Sequence, residues 1–108
     1  MAAILTAKEF SKHVNTNFHA TLDDEDETQA DLELVEVKVY TSKHEEQGGM
    51  ERFSLYFTGP VEPFLAQMSY AFQHAEMGEF EMFLVPLSRK QDGARYEAVF
   101  NYFKKSEQ

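Results

Sequence analysis

FSLYFTGPVEPFLAQMSYAFQHAEMGEFEMFLV, residues Phe53 to Val85, alternates apolar and polar side chains three times over. Phe53, Leu55 and Phe57 fall on one side of an extended chain and Arg52, Ser54, Tyr56 and Thr58 on the other, because successive side chains of a strand project to opposite faces. Met68, Tyr70, Phe72, His74 and Glu76 then alternate against Gln67, Ser69, Ala71, Gln73 and Ala75. Phe80, Met82 and Leu84 do the same against Glu79, Glu81, Phe83 and Val85. A period of two in runs rich in aromatic residues predicts strands with a buried face. Gly59-Pro60 ends the first run, since Pro60 has no N–H to give a ladder. Met77-Gly78 stands between the second and third at hairpin spacing, with Gly78 taking the positive φ a tight turn needs. Three consecutive antiparallel strands, a meander, are expected.

Working outward, the pattern gives strands over 51–58, 67–76 and 79–86 in this stretch, with 17–22 and 31–40 before it and 94–103 after it. In 31–40 the alternation changes phase: Leu32 and Leu34 share one face, Val35, Val37 and Val39 the other. Either both faces are buried near Leu34-Val35, or a β-bulge moves the pattern over by one residue. The polar Glu33, Glu36 and Lys38 favour the bulge. Tyr96, Ala98, Phe100 and Tyr102 line one side of the last strand, after a turn holding Asp92-Gly93. Residues 23–27, all Asp or Glu, form an exposed turn, 41–50 a polar loop, and 104–108 a polar tail.

At the N-terminal side, Thr6-Ala7-Lys8-Glu9 matches a capping box, with Leu5 and Phe10 placed for a hydrophobic staple. A short helix over 7–13 follows, with Ala7, Phe10 and Val14 near one side. Two turns are not stable alone in water, so the apolar side must rest on the sheet. The fold class is mainly β: one domain over 1–108, a six-stranded antiparallel meander closing into a small barrel with one short N-terminal helix as a plug. Closure hides the strand edges. A two-sheet sandwich is the competing arrangement, and patterning does not separate the two.

Composition narrows the function. The apolar share of 43%, with ten Phe and five Tyr, supplies one core. Without cysteine there is no disulfide, thiolate metal site or Cys nucleophile, which fits a reducing cytoplasm. No signal peptide is evident, and no apolar run approaches the roughly 20 residues of a membrane span. A net charge of −9 with no basic stripe opposes nucleic-acid binding.

Phe53-Ser-Leu-Tyr-Phe-Thr-Gly-Pro60, Gln67-Met-Ser-Tyr-Ala-Phe-Gln-His74, Met77-Gly-Glu-Phe-Glu-Met-Phe-Leu-Val-Pro86 and Tyr96-Glu-Ala-Val-Phe-Asn101 together resemble a family of short bacterial proteins classed as a domain of unknown function. Met68 stands where that family has Gly after Gln67. The resemblance implies association with phage-tail-collar-like neighbours and an accessory or assembly role. It brings no catalytic residue, metal or cofactor.

Candidate chemistry is sparse. His74 and Glu76 share a strand face, as a metal pair or a carboxylate-oriented base would. Further ligands at HxH, HxxxH or HExxH spacing are missing, so His74 reads first as a core-capping histidine beside a hairpin. The acidic run 23–27 lacks the spacing of a Ca²⁺ loop. Neither a Gly-x-Ser-x-Gly elbow nor a phosphate loop occurs, so no familiar enzyme apparatus is assembled. The surplus is aromatic: Tyr56 and Phe83 face away from the core positions beside them. Tyr56, Met68 and Phe83 are therefore the expected partner-binding patch of a non-enzymatic interaction domain, whose partner is another protein or a second copy. The alternative is a small-molecule-binding or catalytic barrel, with a pocket at Tyr70, Phe72, His74 and Glu76.

Overall fold

The computed structural model describes residues 6–22 and 28–103. Leu5 of the expected staple, the acidic turn 23–27 and the tail 104–108 lie outside the described residues. Six strands form one closed antiparallel ring: β1 (Asn17–Thr21), β2 (Gln29–Val39), β3 (Met50–Gly59), β4 (Met68–His74), β5 (Gly78–Lys90) and β6 (Gly93–Phe103). Helix α1 (Ala7–Ser11) precedes them. A five-residue helix, α2 (Lys43–Gln47), lies within the connection expected to be a polar loop.

The alternation holds in every strand. Phe18 and Ala20, Leu32 and Leu34, Phe53, Leu55 and Phe57, Tyr70, Phe72 and His74, Met82 and Leu84, and Ala94, Tyr96 and Ala98 all point inward and are buried. The order around the ring is β1-β2-β3-β6-β5-β4, which corrects the meander: β3 and β4 follow one another in the chain but are not neighbours. Gly59-Pro60 ends β3 as expected. The segment from Pro60 to Gln67 then carries the chain across one end of the ring instead of turning back into a hairpin. What drives the crossing is burial: Leu65 in its middle is fully buried. Its N–H donates to the Tyr96 hydroxyl at 3.0 Å, and Phe64 packs on the Tyr96 ring with centroids 5.9 Å apart.

The ring is not evenly hydrogen-bonded. β2 pairs with β1 from Gln29 to Glu33 and with β3 from Glu33 to Val39. β5 pairs with β4 from Gly78 to Leu84 and with β6 from Val85 to Lys90. Both long strands thus change partner midway, and a register shift marks each handover, between Leu34 and Glu36 in β2 and between Pro86 and Ser88 in β5. An extra residue bends a strand and increases its twist, which is how strands turn the corners between two crossed layers. The bulge at Val35 is the one its sequence favours. The one at Leu87 is an addition, and there the missing N–H of Pro86 falls at an irregular point of the ladder, where proline is tolerated.

Past the β5 corner, the first half of β5 and the second half of β6 share no ladder, and at the mouth this leaves, α1 lies beside β2 and sends Phe10 into the core. Thr6 caps the helix, its hydroxyl accepting from Glu9 N–H at 3.1 Å, while the Glu9 carboxylate turns toward Lys12 (3.4 Å) and His13 (3.7 Å). Asn15, at φ 73°, ends the turn; asparagine is among the few residues that adopt this region at low cost. Phe10 is fully buried, with ring centroids 5.5 to 6.1 Å from Phe100, Phe80, Phe53 and Phe18. At the far end, Gly93 has φ 148°, and a Cβ there would stand 2.9 Å from the Gly59 carbonyl oxygen.

Phe10→Ala is expected to cost about 3–5 kcal/mol in urea denaturation; a loss under about 1 kcal/mol would show that α1 does not hold the mouth shut. Gly93→Ala combines a disfavoured φ with a backbone clash and is expected to cost about 1–3 kcal/mol. Gly78→Asn, at φ 85° with open space around it, is expected to be milder in the same assay.

Candidate functional site

His74 occupies the inward face at the C-terminal end of β4. Its Nδ1 accepts from two backbone N–H groups of the following turn, Glu76 at 3.0 Å and Met77 at 3.2 Å. A nitrogen accepting two hydrogen bonds carries no proton, so the ring is the Nε2–H tautomer. Nε2 donates to Thr16 Oγ1 at 2.9 Å, and Thr16 in turn donates to the His13 carbonyl at 2.5 Å. The ring also rests against Phe18, at 4.4 Å, and His13, at 4.6 Å. Burial first, then the neighbouring His13, push its pKa below the ordinary histidine value, with Glu76 opposing them. A neutral histidine is therefore used as a two-ended connector that ties the β4–β5 turn to the segment between α1 and β1.

Glu76 follows the strand's end and is exposed, its Oε1 lying 4.0 Å from His13 Nδ1. Tyr70 and Phe72 are core residues. The Tyr70 hydroxyl donates to the Ala66 carbonyl at 2.6 Å, and burial raises its pKa. Phe72 stacks between Phe57 (6.1 Å) and Phe80 (6.2 Å). A groove of about 320 Å³ touches His74, but it is bounded by His19, Gln73, Ala75, Gly78 and Glu79 and not by Tyr70 or Phe72. Of the four expected pocket residues, His74 alone lines this groove. Among the described residues, no group of three or more His, Asp or Glu converges as a metal site.

The outer face of β3, β6 and β5 has a different character. Ladder register puts Glu36, Tyr56, Glu97 and Val85 in one row across β2, β3, β6 and β5. Lys38, Ser54 and Val99 form the next row. Phe83, paired with Ser69 of β4, projects outward two residues before Val85. Phe83 is 49% exposed and Val99 59%, the kind of apolar surface strands facing water usually avoid. Glu97 is fixed in the middle: it accepts from Ser54 Oγ at 2.6 Å. The Tyr56 hydroxyl bonds that of Tyr40 at 2.8 Å. That bond first, then burial and the Glu97 carboxylate, hold the Tyr56 pKa well above the ordinary phenol value.

Of the expected patch, Tyr56 and Phe83 share this face. Met68 does not join them: its partner across the ladder, Leu84, is a core residue, so Met68 points to the inner side at the rim, 40% exposed. Val99, Tyr40 and Glu97 complete the face and were passed over in the sequence. The signal for Val99 was its place on the polar side of β6, opposite Tyr96, Ala98 and Phe100.

A family model described as "Domain of unknown function (DUF6916)" matches residues 5–100. No curated protein and no solved structure matches the chain.

The His74 connector sets a pH dependence. A histidine whose folded pKa lies below its unfolded value of about 6.5 takes up a proton more readily when unfolded, so the stability it confers is intact above that pH and is lost as pH falls through it. Chemical denaturation is expected to give a falling midpoint from pH 7.5 to 5 in the parent protein. His74→Asn, whose amide oxygen can stand in for Nδ1, is expected to flatten that slope; an unchanged slope would remove His74 as its source. Thr16→Val leaves Nε2–H without an acceptor and is expected to cost about 1–3 kcal/mol at pH 7.5.

Proposed function

The chain belongs to the family described as a domain of unknown function, DUF6916, and for it we propose a non-enzymatic role: a small β domain that docks another protein on the outer face of β3, β6 and β5. The observation that carries this reading is the exposure of Phe83 on β5 and Val99 on β6, large apolar side chains open to water on the outside of a ring whose interior positions are filled. Completing the burial of these half-exposed side chains in an interface recovers about 1 kcal/mol each, and apolar centres with an aromatic anchor are the energetic core of protein contacts. Tyr56 extends the apolar area toward β2. Glu97, held by Ser54, offers a fixed acceptor that orients the partner.

Charge favours a different protein over a second copy. Two copies bring together two net charges of −9, whereas a partner with basic residues around an apolar centre is attracted. The finer form of this reading is an assembly accessory beside phage-tail-collar-like neighbours, in the cytoplasm.

Phe83→Ser combined with Val99→Thr is expected to change folding stability by no more than about 0.5 kcal/mol, as surface substitutions do. The same double variant is expected to lose co-purification with the product of a neighbouring gene. Undiminished capture by the folded double variant would defeat the docking face. A concentration-dependent dimer by sedimentation, abolished by the same substitutions, would transfer the face to self-association.

A further inference from the structure

A cleft of about 450 Å³ lies away from the Phe83 face, where the β5–β6 hairpin meets the start of β2. Its walls carry charges of both signs. Asp31 and Glu33 of β2 stand on one side; Lys90 and Arg95 of the hairpin, with Asp92 at its turn, stand on the other, and Thr58 and Ser88 also line the cleft. The ladders account for this placement. Glu33 pairs with Thr58, Thr58 with Arg95, and Arg95 with Ser88, so all four project outward along one row. Asp31 is held in place by His19, whose Nδ1 lies 2.6 Å from its Oδ1. None of the ion pairs among the described residues joins one wall to the other.

The geometry points to a binding site for a short zwitterionic chain, a free peptide of two or three residues, lying across this cleft with its carboxylate on Lys90 and Arg95 and its ammonium on Glu33 and Asp31. Each feature is used by that ligand. The volume falls in the range of small-molecule sites. An arginine offers a planar donor fork that matches a carboxylate. Glu33 and Arg95 flank Thr58 across two ladders, which sets carboxylate and guanidinium on either side of a ligand lying over β3. The hydroxyls of Thr58 and Ser88 can donate to or accept from the intervening amides. In a chain of net charge −9, a simple anion would be repelled at long range, whereas a zwitterion carries no net charge to repel.

The test is a titration of the full chain with triglycine followed by backbone amide NMR. Two controls, N-acetyl-triglycine and triglycine amide, each lack one terminal charge. The unblocked peptide is expected to give saturable shifts at Asp31, Glu33, Thr58 and Arg95, below about 10 mM ligand. Each blocked peptide is expected to bind at least about tenfold more weakly, the loss that goes with one charge-assisted hydrogen bond. Arg95→Gln and Glu33→Gln, both at exposed or half-buried outer positions, are expected to weaken the unblocked peptide equally while leaving the thermal midpoint unchanged. No saturable shift by about 10 mM, or equal binding of blocked and unblocked peptides, would overturn the proposal. Neither result bears on the Phe83 face, since the two sites share no residue.

Discussion

Phe10, packed on rings from β1, β3, β5 and β6, is the contact on which the architecture depends. Strand ladders close the ring all the way round, but β5 gives its first half to β4 and its second half to β6. The two strands therefore diverge from the corner at Val85 and Glu97. A gap in a sheet admits water to the core and strands backbone groups. One phenyl ring touching four others fills the core behind that divergence, and a helix of only five residues is enough to deliver that ring. The helix has little stability of its own; it is held by what Phe10 buries.

The same economy governs the rest of the core. Each corner where a strand changes partner is made by one extra residue, Val35 or Leu87. Each end of the ring is closed by a connection that contributes a fully buried side chain, Phe10 at one end and Leu65 at the other. His74 links the pieces: a neutral ring bonded on both nitrogens fastens the β4–β5 turn to the chain that follows α1. A histidine beside a carboxylate invites a catalytic reading, but here both ring nitrogens are committed to structural hydrogen bonds.

Both proposed sites lie on the outside of the ring. The apolar positions beside Glu97 and the cleft lined by charges of both signs are products of the ladder registers. Each draws on strands distant in the chain, which meet because β3 and β6 are neighbours. Tyr56 and Phe83 stood out in the sequence because each breaks the polar side of an alternating run. Val99 breaks its run in the same way, but valine is common in strands on either face, so it gave a weaker signal. Met68 follows the alternation and was read as surface although it lies on the inner side.

The placement of side chains inside or outside was legible from the chain alone, because the period of a strand is a local property two residues long. So were the Val35 bulge, where the polar residues forced a change of phase, and the Thr6 cap. The order of the strands was not legible. Pro60 to Gln67 is long enough either to turn back or to cross the end of the ring, and only the burial of Leu65 against Tyr96 selects the crossing. The Leu87 bulge was hidden because Val85, Pro86 and Leu87 run on without a polar residue to mark the slip. Alternation says which way a residue faces, and long-range packing decides what it faces.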